Sequence, residues 1–148
     1  MSWTKKQFIE QAFDELGMSN YVFDLEPEQL TTALFKLDAM MAEWNAKGIR
    51  LGYPLPSVPQ NSSLNQTTSV PDSANSAVYT NLACRLGPSF GKAVLMETKQ
   101  AAKTGFNTLL SLANAPIEMQ YPSSLPRGAG NKPLNIDRPF MPMPTDPL

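Results

Sequence analysis

The chain has no histidine, and Cys84 is its one cysteine in 148 residues. These absences remove a Ser-His-Asp triad, a Cys-His pair, a histidine-rich metal site and a four-cysteine zinc site from consideration within one chain. An internal disulfide is excluded as well, which fits a reducing compartment. Twelve basic against thirteen acidic side chains give a net charge of −1, so there is neither a polycation for nucleic acid nor an acidic tail. No stretch approaches the ~20 apolar residues that cross a bilayer, and MSWTKKQFIE lacks the apolar run of a signal peptide. A soluble product of a cytoplasm is expected, with no membrane role and no assigned catalytic, cofactor-binding or metal-binding residue.

What the chain does contain is helical periodicity. Thr4 and Gln7 stand at capping-box spacing, each side chain able to satisfy an amide of a first turn. Phe8, Ile9, Ala12, Phe13 and Leu16 then form one stripe up to Gly17, predicting a helix over 4–16. Pro27 is suited to open a second helix that Gly48 closes. Within it Leu30, Leu34, Leu37, Met41 and Trp44 repeat at four and three residues, while Phe35, Ala39 and Ala42 lie on other faces. A third helix is expected from Asp72 or Ser73 as cap to Leu86, with Val78, Tyr79, Leu82 and Leu86 on one face. A fourth is expected from Ser89 as cap to Ala113, with Phe90, Val94, Ala101, Gly105, Leu109 and Leu112 along one side. Gly105 inside that helix costs about 1 kcal/mol against alanine, and its spacing from Ala101 points to a close helix contact.

Two stretches lack such a pattern. Residues 52–71 carry Pro54, Pro56, Pro59 and Pro71 among Ser, Asn, Gln and Thr, a long loop of the kind that is usually functional or disordered. After Asn114 come eight of the fourteen prolines, from Pro116 to Pro147. Each removes an amide donor and biases the residue before it away from the α region. An extended or polyproline-like arm is expected over 115–148. It holds too many apolar side chains, from Ile117 to Met143, for a pure spacer, so docking on another protein explains it better. The fold class read here is all-α: a small four-helix domain over 1–114, a Pro/Ser/Asn-rich central loop over 52–71, and the C-terminal arm.

Single residues carry little chemistry. Glu10, Asp14, Glu15, Glu26, Glu28, Asp38 and Glu43 cluster in the first third. Hydrolysis of a glycosidic bond needs two carboxyls facing each other across the sugar, and most of these fall on polar faces or in first turns, where acids favour the helix dipole. Lys92, Lys99 and Lys103 share one face of the expected fourth helix. They form either a solvated face or a basic stripe for DNA phosphates or an acidic partner. Cys84, Trp44, Met40 and Met41 are expected in the core. Phe35 belongs either to the core or to a subunit contact.

Three blocks stand in a familiar order: LDAMMAEWNAKGI at 37–49, NLACRLGPSF at 81–90 and YPSSLPRGAGN at 121–131. With them the chain resembles, over roughly residues 4 to 131, the tail accessory factors, or head-to-tail adaptors, of short-tailed bacteriophages of the Salmonella podovirus type. The resemblance implies a structural virion protein at the head–tail junction, made in the host bacterial cytoplasm. It implies binding to the dodecameric portal ring after DNA packaging, with neighbouring adaptor copies in a ring of twelve. Such a ring would help to retain the packaged DNA in the channel without sequence specificity and form the platform for tail hub, needle and tailspike proteins. By the same resemblance Tyr121, Pro122, Leu125, Pro126, Arg127, Gly128, Gly130 and Asn131 are the portal-binding residues, and the helices carrying Trp44 and Cys84 the ring body. Phe35, Lys92, Lys99 and Lys103 are the candidates for a subunit or DNA-channel contact. The last ten residues and the 52–71 loop depart from the recognised blocks. A peptidoglycan hydrolase of muramidase type is the alternative within the same family, with no catalytic residues matched to it here.

Overall fold

A computed structural model of the chain describes residues 2–18, 25–58 and 61–115. They form α1 (Lys5–Glu15), α2 (Pro27–Ala46), α3 (Asp72–Leu86) and α4 (Met96–Ala113), with a 3-10 turn at Gly87–Phe90 before α4. An isolated antiparallel bridge joins Thr4 to Thr67, and there is no longer strand among the described residues. The all-α reading holds for these residues. The expected arm over 115–148, and with it the block from Tyr121 to Asn131, lies outside them except for Ala115.

Local chemistry accounts for most helix ends. At α1 the capping box is complete: Gln7 donates its amide to the Thr4 hydroxyl at 3.3 Å, and the Thr4 amide donates to Gln7 Oε1 at 2.9 Å. Gly17, at φ 70°, takes the left-handed conformation that ends the helix. At α2, Pro27 is the first helical residue and Lys47 the C-cap. The expected side-chain cap of α3 is absent. Pro71 occupies the N-cap in an extended conformation with no side-chain cap bond, because its ring carries no acceptor for a first-turn amide. Asp72 instead sits in the first turn, where its charge favours the dipole.

The fourth helix starts later than its sequence pattern suggests. The 3-10 turn closes on Gly91, whose φ of 61° is left-handed, and the chain folds back so that the Lys92 amide donates to the Gly87 carbonyl at 3.0 Å. A Cβ on Gly87 would lie 2.7 Å from Val94 Cγ2, so only glycine admits this return. The buried side of α4 is Thr98, Ala102 and Leu109, with Phe106 and Leu110 packed partly against the core. Ala101 and Leu112, placed on the apolar stripe by spacing, are exposed. Phe90 and Val94 lie before the helix, while Ala101 and Leu112 stand on α4 beside the buried line through Thr98, Ala102 and Leu109 and remain in water.

α3 is the hub and packs against the other three helices. Phe8, Ile9, Ala12 and Phe13 of α1 meet Leu34, Leu37, Met40 and Trp44 of α2, and Val78, Leu82 and Leu86 of α3, in one cluster. Burial of each such large side chain contributes about 1.5–3 kcal/mol. Aromatic edges fasten its rim: Phe13 meets Phe90 at 5.2 Å between centroids and Trp44 meets Phe106 at 5.5 Å.

The central loop is tied across the start of α1. Lys5 donates its amide to the Gln66 carbonyl at 3.0 Å and Lys6 to that of Leu64 at 2.9 Å, while the Thr68 amide donates to Trp3 O at 2.8 Å. First-turn amides of a helix have no partner within it, and here loop carbonyls supply two of them.

Candidate functional site

Under that loop lies a polar cluster that crosses the fold. Lys5 is fully buried. Its ammonium reaches Asp38 Oδ1 of α2 at 3.1 Å and the Ser62 hydroxyl at 2.9 Å, and stands 4.7 Å from the centre of the Tyr53 ring. The Tyr53 hydroxyl donates to the same Asp38 Oδ1. Burial first, and then the hydrogen bond to Asp38 and its charge, push the Tyr53 phenol far above its ordinary range, so it remains a neutral donor. The cluster joins α1, α2, the start of the loop at Tyr53 and its middle at Ser62. Asp38 is the exception among the acids of the first third, being buried while Asp14, Glu26, Glu28 and Glu43 are exposed.

The remaining acids of the first third that have partners are in structural contacts. Glu15 accepts from the Thr98 hydroxyl at 3.0 Å, tying α1 to α4, and Glu10 faces Lys6 at 3.5 Å. Glu43 on α2 pairs with Lys47 and with Arg85 of α3. Hydrogen bonds from Lys47 and then Arg85, together with the Arg85 charge, hold the Glu43 carboxyl down at about 2. No group of three or more metal-ligating acids or thiols occurs among the described residues. Cys84 is half buried instead of lying in the core. Desolvation pushes its thiol up despite nearby Lys99, which suppresses the thiolate a nucleophile needs. Nothing in this arrangement supports the cell-wall hydrolase alternative.

The four residues considered for a subunit or DNA-channel contact separate into three places. Lys99 and Lys103 are exposed one turn apart on α4. Lys92 is exposed but precedes the helix, so the three lysines do not form one helical stripe. The cause is the left-handed Gly91, which breaks the helix between Ser89 and Met96. Phe35 is 50% exposed and is therefore not a core residue. It forms one wall of a groove of about 320 Å³ with Ala39 and Ala42 of α2, Asp38 at its side, and Leu55 and Pro56 of the loop opposite. The apolar positions at 35, 39 and 42 were readable as a second face of α2. The opposing loop wall and Asp38 were not, because only the folded chain brings them together. The named portal-binding residues lie outside the described residues, as does Arg127 among them.

No helix among the described residues is long and apolar enough to cross a membrane. A family model described as P22 tail accessory factor matches residues 1–140 of the chain. The match takes in all four helices and continues beyond Ala115 into the proline-rich segment.

Proposed function

The chain belongs to the P22 tail accessory factor family, a structural component of a phage tail, and from that premise we propose that it is a head-to-tail adaptor. In this role copies of the chain bind beneath the portal ring, help to retain packaged DNA, and offer the platform on which the rest of the tail assembles. One observation carries the reading: the family match extends past the helical unit through residue 140. The matched range therefore includes most of the proline-rich segment. Eight prolines interrupt any regular backbone hydrogen-bond pattern in that segment, while its apolar side chains suit burial on another protein. The helical unit suits a structural role, since its buried charged pair, Lys5 and Asp38, joins its own elements.

Assembly on a ring-shaped template turns weak neighbour contacts into effectively intramolecular ones. Small helical units with modest cores can then form a ring that they would not hold alone. The test is to mix the full chain with its portal ring and count bound copies by native mass measurement. One copy per portal subunit is expected. Absence of a complex at micromolar concentration, or saturation far below one copy per subunit, would overturn the adaptor role.

A further inference from the structure

The groove on the outer face of α2 has a composition that narrows what it can hold. Its walls are Phe35, Ala39, Ala42, Leu55 and Pro56, and its single polar side chain is Asp38. Phe35 and Leu55 are 50% and 39% exposed, so apolar surface stands open to water here. Within the Asp38 carboxylate, Oδ1 takes both donors, Lys5 Nζ and the Tyr53 hydroxyl. Oδ2 is buried and has no hydrogen-bond partner among the described residues. A buried carboxylate oxygen without a donor is uncommon and unfavourable.

We propose that this groove receives an aromatic side chain bearing a single N–H or O–H donor, a tryptophan or tyrosine, presented by a partner protein. The donor supplies Asp38 Oδ2, and the ring lies between Phe35 and the Leu55–Pro56 wall. The other chemistries fit less well. An anion would meet a carboxylate, and none of the six lining side chains offers a donor to it. A cation would place a second positive charge around a carboxylate that Lys5 already neutralises at 3.1 Å. A purely aliphatic group would cover the apolar walls but leave Oδ2 unpartnered and further from water. Tyrosine and tryptophan combine a large apolar body with one donor, the combination that dominates interface anchors. Because Oδ2 is closed from water in this conformation, binding requires half-exposed Phe35 to turn aside.

The proposal does not depend on which ring the chain joins, so it is tested on the isolated full-length protein. Indole serves as the probe and N-methylindole, which lacks the donor, as its control. Both are titrated at millimolar concentrations while the methyl resonances of Ala39 and Ala42 are followed by NMR. Indole is expected to shift these resonances saturably and to bind roughly three- to tenfold more tightly than N-methylindole, the effect of one buried hydrogen bond. Ala39→Leu and, separately, Ala42→Leu fill the groove from an exposed helix face and leave the Lys5–Asp38 pair in place. Both are expected to abolish the indole-induced shifts while retaining the helical circular dichroism. Equal affinity for the two probes would overturn the role of Asp38 Oδ2. Lack of any saturable shift with the unaltered protein, or undiminished binding to both leucine variants, would overturn the groove as the site.

Discussion

Lys5 stands in the first turn of a helix, where a lysine opposes the dipole and ordinarily points to solvent. Here it is fully buried because Asp38 lies within 3.1 Å and loop residue Ser62 within 2.9 Å. Removing one member of such a pair leaves the other charge buried alone, at a cost of about 3–5 kcal/mol. Lys5→Met should therefore lower the unfolding free energy by that amount in urea titration, out of the ~5–15 kcal/mol of an ordinary domain. The double variant Lys5→Met/Asp38→Leu should recover part of the loss, since replacing both charges by apolar groups is often near neutral while the Tyr53 hydroxyl loses its acceptor. A double variant no more stable than the single one would show that the pair holds something beyond its own charges. At the surface Glu43 behaves differently. Its folded pKa, about 2, lies below the ordinary 4.5, so its contribution to stability is full above pH about 4.5 and is lost as pH falls toward 2. The side chain is 42% exposed, so salt screens the effect and its size is modest. Glu43→Gln should flatten the fall in stability between pH about 5 and 2, and added salt should shrink the difference between the two proteins. Equal slopes at low salt would mean that the contacts with Lys47 and Arg85 do not persist in solution.

Between elements, α4 comes close to α3 at Gly105. A Cβ placed on Gly105 would lie 2.8 Å from Ala77 Cβ and 3.1 Å from its Cα, nearer than carbon atoms pack. Alanine would gain about 1 kcal/mol in helix propensity at an unconstrained site. Here the helices would have to move apart, and overpacking of this kind costs about 1–3 kcal/mol. Gly105→Ala should thus be neutral to destabilising in thermal melts. A clear gain in melting temperature would mean that the two helices are not this close. The close approach was legible in the sequence, because an interior glycine stands out against a helical pattern. So were the helices themselves, their stripes in α1 and α2, and the capping box at Thr4. These depend on residues three or four apart. What escaped depends on longer reach. The Lys5–Asp38 and Lys5–Ser62 bonds span 33 and 57 residues, and neither partner has a local pattern that selects the other. The delayed start of α4 escaped because glycine at 91 suits a helix poorly without forbidding one, and only the contact of Gly87 with Val94 decides for the turn. Once that start moved, Lys92 left the lysine stripe. Phe35 was balanced between core and surface because α2 carries apolar residues on more than one face, and periodicity does not say which face the other helices take.

For the molecule as a whole, the helical unit and the proline-rich segment pose separate physical problems. The described helices bury their own core, in which Phe8, Ile9, Phe13, Leu37, Met40, Val78, Leu82 and Leu86 are fully buried. All of these precede Asn114, so the unit's stability rests on residues that a truncation there would leave in place. The segment from Pro116 to Leu148 contributes eight prolines and apolar side chains that include Leu125, Leu134, Ile136, Phe140 and Met141. Prolines restrict the unbound chain and so reduce the entropy lost on ordering, and each large apolar side chain buried on a partner contributes about 1.5–3 kcal/mol. Arg127 adds a planar donor suited to a carboxylate. On the adaptor reading, attachment to the portal belongs to this segment, while the helices form the body of the ring. A chain ending at Asn114 should then keep the helical circular dichroism and unfold cooperatively near the temperature of the full protein. It should fail to co-sediment with portal rings under conditions where the full chain does so. Replacing Arg127 by alanine in the full chain should weaken co-sedimentation without changing the melt, which separates recognition from folding. If the truncated chain bound portal with unchanged affinity, the helices would carry attachment, and the proline-rich segment would have to serve some later step of tail assembly.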